Sequence, residues 1–171
     1  MTINTLEEKF THELGAIYDA EHQFLEAQQT MLESANSADV QAMLEKHIVE
    51  TEQQIVNLTR VHEILGLTAK RVTCAAAKGL VTEGNELLSA TADVPVLADL
   101  SINGSNSKVE HFEIATYRGL ISGAQMMGQT EVVQLLSENL QQEENTAQLL
   151  EASMPSLLEK AMTTASKSAG M

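Results

Sequence analysis

The residues of this chain most able to do chemistry are five glutamates, Glu21, Glu50, Glu110, Glu113 and Glu143, because of where they fall among apolar neighbours. A glutamate on a helix ordinarily faces water, opposite the apolar stripe. At about 100° per residue, Glu21 instead falls between Tyr18 and Leu25 on one side and Ile17 and Phe24 on the other. Glu110 and Glu113 share a face with Tyr117, Leu120 and Ala124. Glu143 sits mid-stripe between Leu136 and Leu150, whereas Glu144, about 100° away, lies nearer the flank. Glu50 is also on a flank, on the side of His47, Gln54 and Val61. Burying an ionised carboxylate is costly unless it is paired. The chain carries only 10 Lys plus Arg against 24 Asp plus Glu, and Lys46, Lys108 and Arg118 are placed to face solvent. Two outcomes are open: raised pKa values with shared protons, or bound cations. Two divalent ions suit a cluster of four or five carboxylates best, because oxygen ligands neutralise hard or borderline ions.

Other reactive side chains have plainer readings. His47 and His111 read first as partly buried or surface histidines and only second as ligands. Tyr18 and Tyr117 lie one turn from Glu21 and Glu113, as core aromatics with hydroxyls bonded to carboxylates. The single cysteine, Cys74, reads as an inert buried thiol near a helix start. The methionines at core spacing, Met43, Met126, Met127 and Met154, read as packing residues.

The elements that must carry these groups are helical throughout. Thr5-Leu6-Glu7-Glu8 fits a capping box, and a helical stripe follows from Phe10 to Leu32. Asn36 or Ser37 caps a second helix that ends at Gly66. A shorter helix runs from about Thr73 to Ser89. Asp93-Val94-Pro95 opens a third long helix that ends near Gly128, and Thr130 opens a fourth, expected to end before Pro155. The pattern predicts an all-α antiparallel four-helix bundle, with the short helix inside the long connection from Gly66 to Val94. Residues 1–160 form one domain and 161–171 a flexible tail.

Composition excludes several classes of function. A formal charge of −14 repels phosphate backbones and argues against nucleic acid as a partner. No apolar run is long enough to span a membrane. A start without a signal-peptide layout, with one unpaired cysteine, leads us to expect a cytoplasmic protein.

Five segments together resemble a known family. They are Tyr18-Asp19-Ala20-Glu21-His22-Gln23; His47-Ile48-Val49-Glu50-Thr51 with Gln54-Ile55; Cys74 to Glu83; Val109-Glu110-His111-Phe112-Glu113-Ile114-Ala115-Thr116-Tyr117; and Leu140 with Glu143-Glu144. In order over about residues 3 to 155, they resemble the YciE/YciF-type bacterial stress-response proteins of the ferritin-like superfamily. The resemblance implies a ferritin-like bundle with a carboxylate-rich di-metal centre, with iron as the first expectation and manganese the second. It makes Glu21 the ligand from the first long helix, Glu50 from the second (bridging), Glu110 with Glu113 from the third, and Glu143 from the fourth. It also implies a reaction with a small oxidant, dioxygen or a peroxide, of ferroxidase or peroxidase type. The alternative is a non-catalytic stress protein that acts by metal binding or partner association; a homodimer through an exposed helix face is compatible with either.

Two departures from the superfamily pattern stand out. Di-iron bundles commonly carry Glu-x-x-His on two helices, but the third positions here are Gln53 and Thr146. His47, three residues before Glu50, is left either to substitute as a ligand or to donate from behind one. The polar run Ile102-Asn103-Gly104-Ser105-Asn106-Ser107, directly before Glu110, predicts a loose or bent turn.

Overall fold

The computed structural model describes the backbone of residues 2–168 and the side chains of residues 2–164. It contains five helices: α1 (Leu6–Ser34), α2 (Ala38–Ile64), α3 (Ala75–Thr91), α4 (Pro95–Met126) and α5 (Thr130–Ser168). Their starts follow from local chemistry. Thr5 accepts a hydrogen bond from Glu8 N while Glu8 reaches back to Asn4 N at 2.7 Å. Ser37, not Asn36, caps α2 through Val40 N, and the Cys74 thiol caps α3 through Ala77 N. Pro95 stands in the first turn of α4, where a missing N–H costs nothing. Gly66 and Gly128, both at φ 69°, end α2 and α4 in the left-handed conformation that only glycine adopts without strain.

The chain packs as two antiparallel hairpins, α1–α2 and α4–α5, joined by the long crossover that carries α3. Side-chain contacts fix the directions. Tyr117 on α4 meets Glu21 on α1 while Asn106 meets Met31, so α1 and α4 are antiparallel. Asn57 on α2 meets Asn139 on α5, and His47 meets Glu143, so α2 and α5 are antiparallel too. One long crossover between two hairpins is the connectivity of ferritin-like bundles. α3 lies outside the four-helix ring against α1 and α4.

The crossover is tied down by one buried acid. Asp19 accepts from Arg71 Nε at 2.8 Å, from Cys74 N at 2.8 Å and from Gln23 Nε2 at 2.6 Å. Nearby, Val72 N donates to Gly15 O. At the other end of the bundle Asp99 accepts from Asn36 N and Ser37 N, pinning the α1–α2 turn to α4.

Two expectations are corrected. α5 does not stop before Pro155 but passes through it to Ser168, so the helix also enters the segment expected as a tail, of which residues 169–171 lie outside the described residues. The missing N–H breaks only one backbone bond, while continuing the helix buries Leu157 against the cluster of Met31, Val40, Leu44 and Ile102. The polar run from Ile102 to Ser107 is regular helix, because Asn103, Ser105 and Asn106 are buried rather than left to loosen the backbone in water. Asn106 Nδ2 bonds Ile102 O and Asn103 Nδ2 bonds Ser153 Oγ, which reconciles poor helix formers with a helix.

Candidate metal centre

The bundle core is apolar at both ends and polar between them. Phe10, Leu14, Ile17, Leu58, Val61, Leu120 and Leu136 fill one end, and Met31, Val40, Leu44, Ile102 and Leu157 the other. In the intervening layer each long helix turns a polar side chain inward on its own apolar stripe. α1 contributes Glu21 and, seven residues on, Gln28. α2 contributes His47, Thr51 and Gln54; α4 contributes Glu110 and Glu113; α5 contributes Asn139, Glu143 and Thr146. All of these are buried.

His47, Glu110, Glu113 and Glu143 form the centre of this layer. Each presents one ligand atom, and the four atoms lie within 4.8 Å of one another. His47 Nε2 stands 3.2 Å from Glu110 Oε1 and 4.0 Å from Glu143 Oε2. The Gln28 amide nitrogen lies 3.4 Å from His47 Nδ1 and 3.3 Å from Nε2, and it also bonds Thr51 Oγ1. Burial, with Lys46 adding to it, pushes the His47 imidazole down to about 4, so the ring is neutral and its approach to Glu110 is not an ion pair.

The carboxyls shift the other way. Burial, reinforced by the negative charge of Glu143, raises Glu110, Glu113 and Glu21 well above the usual carboxylate range. Glu143 itself is pushed up to about 7, by burial first and by Glu50 in addition, against the opposing effect of Glu110 and Gln54. Apart from the mutual approach of the Glu110 and Glu143 carboxyls and of Gln54 to Glu143, among the described residues no well-formed hydrogen bond reaches Glu21 Oε2 or either oxygen of Glu110 and Glu143. Five buried oxygens short of donors, beside a neutral imidazole, form a donor set for a divalent cation of the iron or manganese kind. These residues fit such an ion.

The sequence-based candidates are distributed unevenly around this centre. Glu110, Glu113 and Glu143 belong to it, and so does His47, whose plainer reading as a partly buried histidine gives way to full burial against Glu110. Glu21 adjoins from α1: the Tyr117 hydroxyl donates to its Oε1, the charge of Glu143 bears on it and Glu113 is a hydrogen-bonding neighbour. Glu50 stands at the rim. Its side chain is 18% exposed and paired with Lys46 at 2.9 Å, while Thr146 Oγ1 donates to it at 3.4 Å. Glu144 turns outward to Arg118 at 2.7 Å. His111 is exposed and pairs with Glu151, so it takes no part. Tyr18 differs from its expected role as well, since its hydroxyl accepts from Thr59 rather than bonding a carboxylate, and Met126, expected to pack, is exposed at the end of α4.

Sequence reasoning missed Gln28, Thr51 and Asn139. Asn139 Nδ2 donates to the Tyr117 hydroxyl at 3.0 Å, and its Oδ1 accepts from Asn57. The signal was available: Gln28 follows Glu21 by two helical turns and Asn139 precedes Glu143 by one, which puts them on the same faces.

Comparison with known proteins agrees with this architecture. The family model described as "Domain of unknown function (DUF892)" matches residues 5–163. Protein YciF of Escherichia coli K12 is 33% identical over 147 residues, covering 85% of this chain and 88% of YciF. The crystal structure of that E. coli stress protein superposes with a TM-score of 0.86 at 30% identity, over 92% of this chain and 99% of the other. YcfI of Rhodopseudomonas palustris superposes with a TM-score of 0.84 at 36% identity, over 87% and 94%. A Xanthomonas campestris protein at 22% identity shares the fold, with a TM-score of 0.75 over 95% and 99%. No described helix is long and apolar enough to cross a membrane. A bundle with one long crossover, a polar layer of inward glutamates and similarity along nearly its whole length to YciF place this chain in the DUF892 family, to which it belongs.

Proposed function

We propose that the polar layer holds two divalent metal ions, iron foremost and manganese next, and that the centre reacts with dioxygen or a peroxide. The observation that carries this reading is the set of buried oxygens short of donors on Glu21, Glu110 and Glu143 beside the neutral imidazole of His47. Glu110, Glu113, Glu143 and His47 would hold the ions, with Glu21 and Glu50 closing the set on the α1 and α2 sides. Such a metal pair supplies electrons to an oxidant and stabilises the charge that develops on oxygen.

The protein's own groups have separate roles. Tyr117 holds a proton at Glu21 Oε1 and is itself oriented by Asn139. Gln28 and Thr51 fix the His47 ring. The apolar clusters above and below exclude water, which strengthens every electrostatic interaction inside the layer. Ferroxidase-like or peroxidase-like turnover during stress is the activity that this set supports.

The test is metal loading followed by oxidant consumption. Protein purified without chelator and loaded anaerobically with Fe(II) or Mn(II) should bind about two ions per chain and consume dioxygen or hydrogen peroxide in proportion to bound metal. Near-zero metal in both wild type and a Glu21→Ala/Glu110→Ala variant would sink the reading. A second reading, a non-catalytic bundle that associates with partners, is favoured by the description of YcfI as a candidate structural protein. It predicts bound metal without consumption of oxidant, or no metal at all.

A further inference from the structure

The departure from the superfamily pattern on α2 has a structural counterpart. The third position after Glu50, where di-iron bundles commonly carry histidine, is Gln53, which is exposed and donates to Asn57. The next residue, Gln54, turns inward. It lies two helical turns from His47 and one from Glu50, so α2 presents His47, Thr51 and Gln54 to the polar layer. Gln54 is 0% exposed. Its backbone carbonyl accepts from Asn139 Nδ2 at 3.3 Å, which ties this turn of α2 to α5. Its side-chain amide approaches the Glu143 carboxyl.

Neither end of that amide is satisfied. Oε1 and Nε2 are both buried without a well-formed hydrogen bond. Leaving two polar atoms in that state costs stability, and an apolar side chain of the same length would avoid the cost. One carbon carries both atoms, so an amide that reaches Glu143 also brings its Oε1 beside the carboxyl oxygens of the layer. A carbonyl oxygen there is a ligand of the kind that hard divalent ions take.

We propose that Gln54 is a further metal ligand through Oε1, with Nε2 holding Glu143, and that its neutrality fits the centre to divalent rather than trivalent ions. The charge count supports the second part. Glu21, Glu110, Glu113 and Glu143 are the fully buried carboxyls of the layer, and their four negative charges, once ionised, match two divalent ions. Glu50 is already paired with Lys46 at the rim. A further inward carboxylate at position 54 would leave a divalent pair beside an uncompensated buried charge, which is costly, and would suit trivalent ions instead. Glutamine supplies the oxygen without the charge. This inference rests on the metal-centre reading.

The experiment uses the full chain with two substitutions of nearly the same size. Gln54→Met keeps the length of the side chain and removes both polar atoms, and its soft thioether is a poor ligand for Mn(II). Gln54→Glu keeps an oxygen and adds one charge. Melting temperature is measured without metal, and affinity by calorimetric titration with Mn(II) and with Ga(III), a trivalent ion without redox chemistry. Metal-free Gln54→Met should melt no lower than wild type, yet bind Mn(II) at least about tenfold more weakly. Gln54→Glu should shift the ratio of Ga(III) to Mn(II) affinity toward Ga(III) by at least about tenfold, because an added buried charge attracts a trivalent ion more strongly. Undiminished Mn(II) affinity in Gln54→Met, or an unchanged ion preference in Gln54→Glu, would overturn the proposal. So would a metal-free Gln54→Met chain that melts lower or fails to fold, since the amide would then be satisfied within the fold itself. Wild type that binds neither ion overturns the metal reading as well; wild type and Gln54→Met binding Mn(II) equally overturns this inference alone.

Discussion

Asp19 and Glu21 stand two residues apart on α1, and both are buried, yet their surroundings are opposite. Asp19 sits where the crossover returns to α1 and is met by three donors: the Cys74 backbone N–H, the Arg71 guanidinium and the Gln23 amide. Burial works to raise its pKa, but these donors outweigh it and hold Asp19 below its ordinary value. Glu21 points into the bundle, where one tyrosine hydroxyl reaches one oxygen and the nearest charges are other carboxylates. Its pKa is raised well above normal, first by burial and then by Glu143. The same contrast holds between Asp99, which accepts two backbone N–H groups, and Glu110, whose two oxygens accept none. A buried acid with donors on every side is a structural clamp. A group of buried acids short of donors raises the free energy of the metal-free fold, a cost that a bound cation would offset.

The contrast can be broken most severely at the level of metal uptake. Glu110→Ala and Glu143→Ala should each weaken metal binding more than about a hundredfold, since loss of even an outer partner of a ligand costs 10–100-fold. Asp19→Ala should leave uptake unchanged, as measured by elemental analysis of loaded and desalted protein. Equal loss from both kinds of variant would erase the distinction.

Next in size is the clamp itself. Asp19→Ala leaves the Cys74 N–H without its acceptor and frees the crossover, and should cost about 2–4 kcal/mol in urea unfolding. The figure stays below that of a fully buried pair because the Arg71 side chain is 43% exposed.

The centre should respond with the opposite sign. In metal-free protein above neutral pH, a Glu110→Gln/Glu143→Gln double variant should be more stable than wild type by about 1–3 kcal/mol, because two carboxyls that must otherwise hold a proton or bear unpaired charge are removed. A lower midpoint in that variant would show that the carboxyls are already satisfied.

The gentlest probe is pH. A carboxyl whose folded pKa exceeds its unfolded value stabilises the fold below the unfolded pKa and loses that contribution as pH rises through the folded pKa. Glu143, at about 7 in the fold against an ordinary 4.5, and Glu21, Glu110 and Glu113, raised in the same direction, therefore destabilise metal-free protein as pH rises. His47 is depressed to about 4 from 6.5, so its contribution is lost as pH falls below 6.5 and adds no slope above it. Between pH 6.5 and 8.5 the stability of the metal-free chain should fall by up to about 1.4 kcal/mol per pH unit for each carboxyl still protonated in the fold. Metal loading should flatten that slope, and a flat profile without metal would contradict the assigned shifts.

Much of this was readable from one sequence. Thr5 with Glu8, Ser37, Pro95, Gly66 and Gly128 mark helix ends because capping and terminating chemistry acts within a few residues of chain. The inward turn of Glu21, Glu110, Glu113 and Glu143 was readable too, because helical periodicity assigns every residue on one helix to a face. Pro155 and the run from Ile102 to Ser107 misled for one common reason. Propensity describes a helix in water, and both segments are held by what they pack against: Leu157 on its cluster, and Asn103 and Asn106 in a buried polar seam. His47 was the hardest to place, since its spacing from Glu50 matches no superfamily pattern and its role depends on a helix more than 60 residues away in sequence.

The sequence by itself determined the class of fold, the number of long helices and the face on which each carboxyl lies, since all of these are properties of one helix at a time. Only the tertiary structure decided which of those carboxyls meet. Register between helices sets that, and it brought His47 to Glu110 and Glu143, left Glu50 at the rim beside Lys46, and turned His111 out to Glu151. It likewise decided that Asp19 would find three donors and Glu21 a single hydroxyl. Partners for a buried charge come from other elements, and no period within a single helix records where those elements will stand.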